Sequence, residues 1–379
     1  MKIGLNLLHC QPGIGGVWQY IDRLLKAIAG YDQQNEYWAF VTRHGECLVP
    51  RQENFRRVRI DSIGTSRAAR VFYENVFLDR WVRKLGLDCL HWFSNTMGLR
   101  SSVPGVISIY DLLAYHHPED YSAAFRAYFR IMYPLGARRA AVVLPMSEAT
   151  AADVHEILGV PKSRMVVVRT PLNEAFRPAP LESVWEFKKK YALPELFWLY
   201  VAHYGRHKNH GGLFRAYSEV KARHPGTWPL VLCGQKNGAE AVISRTLRDL
   251  GIEQNVLWLP RLADEEMPLL YSGATVLVFP SLFEGGGMPV MEAMVCGCPA
   301  VVSDIPALRE CAEDAALQFP AGDDKALGNA MQTMAGDSNL RERYRAAGLS
   351  RAATFRPGPV AATLLDVYER AVRGAGQCS

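Results

Sequence analysis

Short apolar segments alternate with amphipathic ones along this chain, and the alternation stops and restarts once. In the first half, "KIGLNLL", "YWAFVT", "RRVRI", "CLHWF", "GVISIYD", "AAVVLPMS" and "MVVVRTPL" read as strands. Among them "GGVWQYIDRLLKAIAG" is an amphipathic helix, with Val17, Tyr20, Ile21, Leu24, Leu25 and Ile28 at helical spacing. "EATAADVHEILG" is another helix, with Ser147 as its cap. The proline- and charge-rich "NEAFRPAPLESVWEFKKKYALPE" breaks the pattern and reads as a linker. The pattern resumes through "FWLYVAHYG", "GLFRAYSEVKARH", "PLVLCG", "AVISRTLRDLG", "VLWLP", "MPLLYSGA", "TVLVFPS", "PAVVSD" and "ALQFP". Such alternation on both sides of a linker implies an α/β protein of two doubly wound, Rossmann-like domains facing across a cleft. The expected domains are 1–175 and 176–357, with a C-terminal helix over 358–379 crossing back to the first.

Composition supports two such cores. The chain has 379 residues, 49% hydrophobic and 21% charged, which is enough for two domains. No apolar run reaches the roughly eighteen residues a membrane span needs. "MKIGLNLLHCQPG" reads as a strand and not a signal peptide. The eight cysteines include no C-x-x-C. Cys89, Cys233, Cys296 and Cys298 fall in apolar contexts, as expected of reduced core residues in a cytoplasmic protein.

The most informative stretch is "TVLVFPSLFEGGGMPVMEAM", Thr275 to Met294. Thr275 to Phe279 is short, apolar and rich in β-branched residues, the profile of a strand buried on both faces. Pro289 suits the first turn of a helix. Gly285, Gly286 and Gly287 therefore lie in a strand-to-helix turn at a strand's carboxyl end, where open α/β sheets bind ligands. Glycines bring backbone amides close to a ligand, and the helix points its positive end at the same place. Together they suit a phosphate. Glu284 and Glu292 would be repelled by phosphate, so their partners are hydroxyls. Glu292, one turn into the helix, is in reach of a ribose diol, and Glu284 of a second polyol. A nucleotide sugar carries all three groups.

These residues resemble the retaining glycosyltransferases of family 4, which have the GT-B fold. Their hallmark is two glutamates in a P-S-x-x-E-G-x-G-x-P-x-x-E-A-M context, and here Glu284 and Glu292 are in register. The likeness extends, more loosely, through "GIGGVWQYIDRLLKAI", "ISIYDLLAYHHPEDYS" and "PMSEATAADVHEILGVPKSRMVVV". It is strongest to bacterial mannosyltransferases of surface polysaccharide synthesis. The resemblance implies a metal-independent transfer of a sugar, with mannose from GDP-mannose as first guess, to a glycan or lipid-diphosphate-linked acceptor. "YVAHYGRHKNHGGLFRAY" is similar to the family's R-K-N segment, so Arg206 and Lys208 are expected to meet the donor diphosphate. No D-x-D motif offers to hold a metal there, and no cofactor beyond the donor is expected. His203, His207 and His210 crowd the same loop and read as incidental surface or second-layer residues. The resemblance places Gly15 and Gly16 near the donor phosphates or sugar. It places Arg261 and Leu262 at the base, and Met288 and Pro289 with the glycine turn.

One departure stands out. Many relatives read H-D where this chain has Tyr110-Asp111, and tyrosine cannot replace the histidine's acid–base behaviour near neutral pH. Asp111 orients the acceptor hydroxyl or supports positive charge on the sugar, or else it only caps a helix. The resemblance puts Tyr110 on the acceptor side, and His116 or His117 there is the alternative source of an imidazole.

Net charge is +5, and residues 1–172 carry 21 Lys and Arg against 15 Asp and Glu. "RAARVFYENVFLDRWVRK" reads either as a basic helix lying on an anionic membrane at its inner face, or as a solvated face over a core stripe. Nucleic acid is not an expected partner. Two rival functions remain at this level: a nucleotide-sugar 2-epimerase, and a non-catalytic nucleotide-sugar sensor.

Overall fold

The computed structural model describes residues 1–10 and 15–376. Residues 11–14, within the expected first glycine-rich turn, and 377–379 lie outside the described residues. The chain divides into two compact units, Met1–Pro171 with the segment from Phe355 onward, and Leu172–Thr354. The breaks precede the expected ones by a few residues.

In the first unit β1 (Lys2–Asn6), β2 (Glu36–Val41), β3 (Phe55–Arg59), β4 (Cys89–Trp92), β5 (Gly105–Ile109) and β6 (Val142–Pro145) form a parallel sheet in the order β3-β2-β1-β4-β5-β6. All residues of β4, β5 and β6 are buried, which explains their unbroken apolar runs. The helices are α1 (Gly15–Tyr31), α2 (Arg67–Val76), α3 (Leu78–Leu85), α4 (Leu113–His116), α5 (Ala123–Arg139) and α6 (Glu148–Leu158). The apolar stripe of α1, Ile21, Leu24, Leu25 and Ile28, shares a core with Leu364, Val367, Tyr368 and Ala371 of the C-terminal helix Pro357–Gly376. Buried His91 on β4 bonds Tyr368 Oη through Nδ1 at 2.8 Å and Ser108 Oγ on β5 through Nε2 at 2.9 Å. The C-terminal helix is thereby tied to the centre of the first sheet.

Two expectations for this unit change. "MVVVRTPL" is not a regular strand: Met165 makes one isolated bridge to Val143, and Val166 and Val168 donate to Val143 O and Pro145 O at 3.0 Å. The segment borders β6 with no further strand beyond it to complete a ladder. The basic stretch is two helices, α2 and α3, joined at Phe77. Leu78 is 1% exposed, and the Trp81 indole donates to Tyr73 Oη at 2.9 Å. Of the interleaved apolar residues Phe72 and Val76 are exposed, while Leu78 and Val82 are buried and Tyr73 and Trp81 pack against the same core. No described helix is long and apolar enough to cross a membrane.

The second unit repeats the plan. Strands β7 (Trp198–Val201), β8 (Leu230–Cys233), β9 (Val256–Leu259), β10 (Val276–Phe279), β11 (Ala300–Ser303) and β12 (Leu317–Phe319) pair in parallel as β12-β11-β10-β7-β8-β9. Around them lie α7 (Leu181–Lys190), α8 (His210–Arg223), α9 (Glu240–Asp249), α10 (Met267–Gly273), α11 (Met288–Val295), α12 (Pro306–Ala312), α13 (Asp324–Gly336) and α14 (Ser338–Ala352). The helix α7 lies in the expected linker and packs on α10 as part of this unit. The chain runs from β7 to one side and from β10 to the other. Adjacent β7 and β10 are therefore the topological switch point, the position at which open α/β sheets bind ligands.

Candidate functional site

The loops after β7 and β10 carry the expected donor-site residues, and the switch point brings them together. Arg206–Lys208 forms one 3-10 turn after β7. Asn209 follows in the left-handed region and caps α8, its side chain accepting from the Gly212 amide. The buried Tyr200 hydroxyl donates to the Lys208 carbonyl, fixing this turn on its own strand. The Leu282 amide donates to His207 O at 2.7 Å, so the two loops are stitched by backbone as well.

Lys208 Nζ lies 2.6 Å from Glu284 Oε1, and the two side chains are only 12% and 10% exposed. A pair this sheltered is screened far less than one in open solvent. Arg206, in the same turn, is exposed.

The glycine turn is held from three sides. Ser303 Oγ at the end of β11 donates to Ser281 O at 2.5 Å. Cys311 Sγ on α12 lies 3.6 Å from Gly287 O. The third support is the Leu282–His207 bond. Gly287 starts α11 with φ +70°, and a Cβ there would lie 2.7 Å from Leu308 Cδ2. Only glycine meets both conditions without strain. No side chain caps α11, and Pro289 has no amide to offer. Gly285, Gly286, Met288 and Pro289 are all partly exposed at this helix start.

Glu292 is 5% exposed and accepts a 2.7 Å hydrogen bond from Tyr271 Oη. Tyr271 is fully buried. Burial, then the adjacent Glu292 charge, pushes its phenol well above the usual range, so it stays a donor. Leu262 after β9 is buried, and Arg261 beside it is exposed. The three loop histidines part company. His203 is exposed, whereas His210 at the start of α8 is 2% exposed, with ring centroids 4.8 Å from Tyr200 and 4.9 Å from Tyr204. It stacks on Trp258 of β9 at 5.7 Å and 4°. Burial first, then His203 and Lys208, lowers its pKa to about 3. His210 is thus a neutral buried residue, which fits the second-layer alternative and not the surface one. Among the described residues no group of three or more His, Cys, Asp or Glu is placed to hold a metal ion.

The first unit's candidates lie apart from one another in role. Gly15 opens α1 with φ +64° and open space around it, and Gly16 beside it is exposed. Tyr110 turns inward: it is 4% exposed, its hydroxyl donates to Phe93 O at 2.6 Å, and its ring packs edge-on to Tyr20 at 5.1 Å. A tyrosine so placed serves the core, which corrects its expected place on the acceptor side. Asp111 is partly exposed after β5, and its Oδ1 accepts from the Leu113 amide at 3.0 Å. That bond shapes the turn before α4 and is not the helix cap left open as the plain alternative, because Leu112 is the N-cap of α4 and no side chain caps it. His116 Nε2 meets Asp153 Oδ2 at 2.8 Å, and His117 Nδ1 meets Glu119 Oε1 at 3.2 Å.

Sequence reasoning missed Tyr271 and Tyr200. Each acts on a site residue through a hydroxyl: Tyr200 heads the quoted R-K-N segment without itself being singled out, and Tyr271 lies outside the quoted site motifs. Tyr271 precedes Glu292 by 21 residues and meets it only through the packing of α10 on α11.

Comparison with known proteins follows this geometry. Residues 14–176 match the family model described as Glycosyltransferase Family 4, and residues 183–351 match the one described as Glycosyl transferases group 1. Over 217 residues the chain is 28% identical to the O-antigen chain mannosyltransferase B of Escherichia coli, covering 57% of each. The first curated relatives are all matched over 60% of their own length or less. In fold the chain is similar to sucrose-phosphate synthase from Thermosynechococcus elongatus, with TM-score 0.81, 20% identity and 100% of both chains covered. It is also similar to Anabaena HepE, solved in complex with UDP and glucose, with TM-score 0.75, 18% identity, and 97% and 98% covered. These likenesses show a fold of two Rossmann-like units of the GT-B class.

Proposed function

We infer that this chain, which belongs to the group 1 and family 4 glycosyltransferases, moves a sugar from a nucleotide sugar to a glycan or lipid-diphosphate-linked acceptor in polysaccharide biosynthesis. The Lys208–Glu284 pair beside the glycine turn carries this reading. It sets a cation, a carboxylate and the amide end of α11 at the switch point of one sheet, a combination suited to a diphosphate bearing a polyol.

In this reading the donor lies on the second unit. Lys208, Arg206 and the amides of residues 285–288 receive the diphosphate. Glu284 takes sugar hydroxyls, Glu292 the ribose diol, and the backbone around Arg261 and Leu262 the base. When the bond from the sugar's anomeric carbon to the phosphate oxygen breaks, its electron pair stays on the diphosphate. The cations and amides stabilise that growing charge, and one well-placed donor of this kind is typically worth about 3–4 kcal/mol of barrier. The acceptor hydroxyl forms the new bond on the face the diphosphate leaves, and its proton passes to a phosphate oxygen. Configuration is retained, with neither a protein nucleophile nor a metal required.

GDP-mannose is the proposed donor, supported by the relatives named mannosyltransferases. The acceptor is assigned to the first unit, with Asp111 orienting its hydroxyl, and Gly15 and Gly16 keep the donor role that the family likeness gives them. The basic excess of this unit and exposed Phe72 support a peripheral contact with an anionic membrane, at the cytoplasmic face.

The test is a thermal-shift series with GDP-, UDP-, ADP- and dTDP-sugars. A true donor at a hundred times its Kd adds about 2.7 kcal/mol and raises the melting temperature. Failure of all four to shift it would end the reading.

A further inference from the structure

A cavity of about 560 Å³ in the first unit is lined by Pro118, Ala123, Arg126, Ala127, Arg130 and Ile131. We propose that it seats the phosphate of a lipid-linked acceptor, with the apolar chain running along α5 over Ile131 and Leu135. The proposal deepens the glycosyltransferase reading and rests on it for the identity of the ligand as acceptor.

Charge comes first. Arg126 and Arg130 lie one turn apart and so share a face of α5. Among the described residues neither forms an ion pair, while other arginines of this unit are engaged. Arg59 holds Asp61 at 2.8 Å, Arg83 holds Asp79 at 3.3 Å, and Arg138 donates to Leu158 O at 3.0 Å. The acid nearest in sequence to Pro118, Glu119, meets His117 at 3.2 Å. Two guanidinium groups on the wall of one cavity suit a multiply charged, multi-oxygen anion. Arginine forks match phosphate geometry in particular. The cavity also lies at the first turns of a 17-residue helix, whose amide end adds a smaller pull of the same sign.

The apolar side identifies the rest of the ligand. Ala123, Ala127, Ile131 and Leu135 form an i, i+4 row beside the arginines. The row starts small within the cavity and ends in two large aliphatics, Ile131 at 58% and Leu135 at 46% exposure. A phosphate alone leaves those two in water. An alkyl or prenyl chain attached to the phosphate covers them and removes their apolar surface from water. Position agrees: only His117 separates α4 from Pro118, and α4 begins two residues after Asp111, the residue assigned to the acceptor hydroxyl.

The experiment uses the full chain and three probes, farnesyl phosphate, farnesol and inorganic phosphate, each titrated by calorimetry below micellar concentration. Farnesyl phosphate should bind at least tenfold more tightly than either other probe. The Arg126→Gln/Arg130→Gln variant should lose that advantage while keeping its melting temperature and its response to nucleotide sugar. Arg126→Lys/Arg130→Lys should fall between. Equal binding of farnesol, equal binding of inorganic phosphate, or no change in the glutamine variant would each overturn the proposal. So would a glutamine variant that loses only its binding to phosphatidylglycerol vesicles, which would make the arginines a bilayer contact. Failure of nucleotide sugars to bind the parent chain is a separate outcome and strikes the donor reading instead.

Discussion

Lys208 Nζ and Glu284 Oε1 stand 2.6 Å apart, each on a side chain about nine-tenths sheltered, although 76 residues separate them. The carboxylate aims the ammonium and the ammonium tolerates the carboxylate beside a phosphate site. Lys208→Ala should lower turnover a hundredfold or more, in line with about 3–4 kcal/mol for one lost transition-state donor. It should also destabilise the fold, because Glu284 is left sheltered without its partner. Adding Glu284→Gln should recover part of the stability and none of the turnover. Chemical denaturation and initial rates on the three variants check both statements. Unchanged turnover in Lys208→Ala would remove that residue from the mechanism.

Tyr271 holds Glu292 by a single 2.7 Å bond. Tyr271→Phe keeps the ring and removes the hydroxyl, so the carboxylate loses its orientation more than its surroundings. Donor affinity should drop about five- to tenfold, matching about 1–1.5 kcal/mol for the bond. A donor with a 2′,3′-dideoxyribose, which lacks both hydroxyls that Glu292 would bind, should show little of that drop. An equal loss for both donors, measured by equilibrium titration, would make Tyr271 merely structural.

Gly287 has φ +70° and Leu308 close behind it. In Gly287→Ala the left-handed backbone costs about 1–2 kcal/mol before the clash with Leu308 is counted. Thermal unfolding should shift downward, and donor affinity should fall with it. Gly15→Ala, with equally positive φ but open surroundings, should lose less stability.

Chelators should leave turnover intact if Arg206, Lys208 and loop amides do the work of a metal. Rates measured with and without EDTA, after dialysis, decide this. A loss restored by a divalent cation would overturn the metal-independent part of the mechanism.

His91 carries a pH signature. Burial lowers its pKa to about 3, against 6.5 for an exposed histidine. Between those values the unfolded chain binds a proton that the folded chain refuses, so acid favours unfolding. Stability from this group is complete above pH 6.5 and declines as pH falls toward 3, by up to about 1.4 kcal/mol per pH unit. His91→Gln should flatten the dependence of unfolding free energy on pH between 4 and 6 by close to one proton. An unchanged slope would mean that His91 ionises in the fold.

The glycine turn was legible from local chemistry: an apolar strand, three glycines and a proline at a helix start allow few structures. Tyr110 was not. Its neighbour Asp111 stays partly exposed, but Tyr110 faces the core and finds Phe93 O, a choice made by the sheet's surroundings. Whether His210 is a surface or a second-layer residue was not legible for the same reason. Three histidines in one polar loop look alike in sequence, and only the packing of Trp258, Tyr200 and Tyr204 singles one out for burial.

Periodicity and turn chemistry alone determined the two α/β units and the loops that follow their strands, because those depend on neighbours in sequence. Strand order decided what those loops meet. By placing β7 beside β10 it joined Lys208 to Glu284. The packing of α10 on α11 set Tyr271 on Glu292. Contacts across such distances are selected by the burial of whole sheets and helices, which no short stretch of residues encodes.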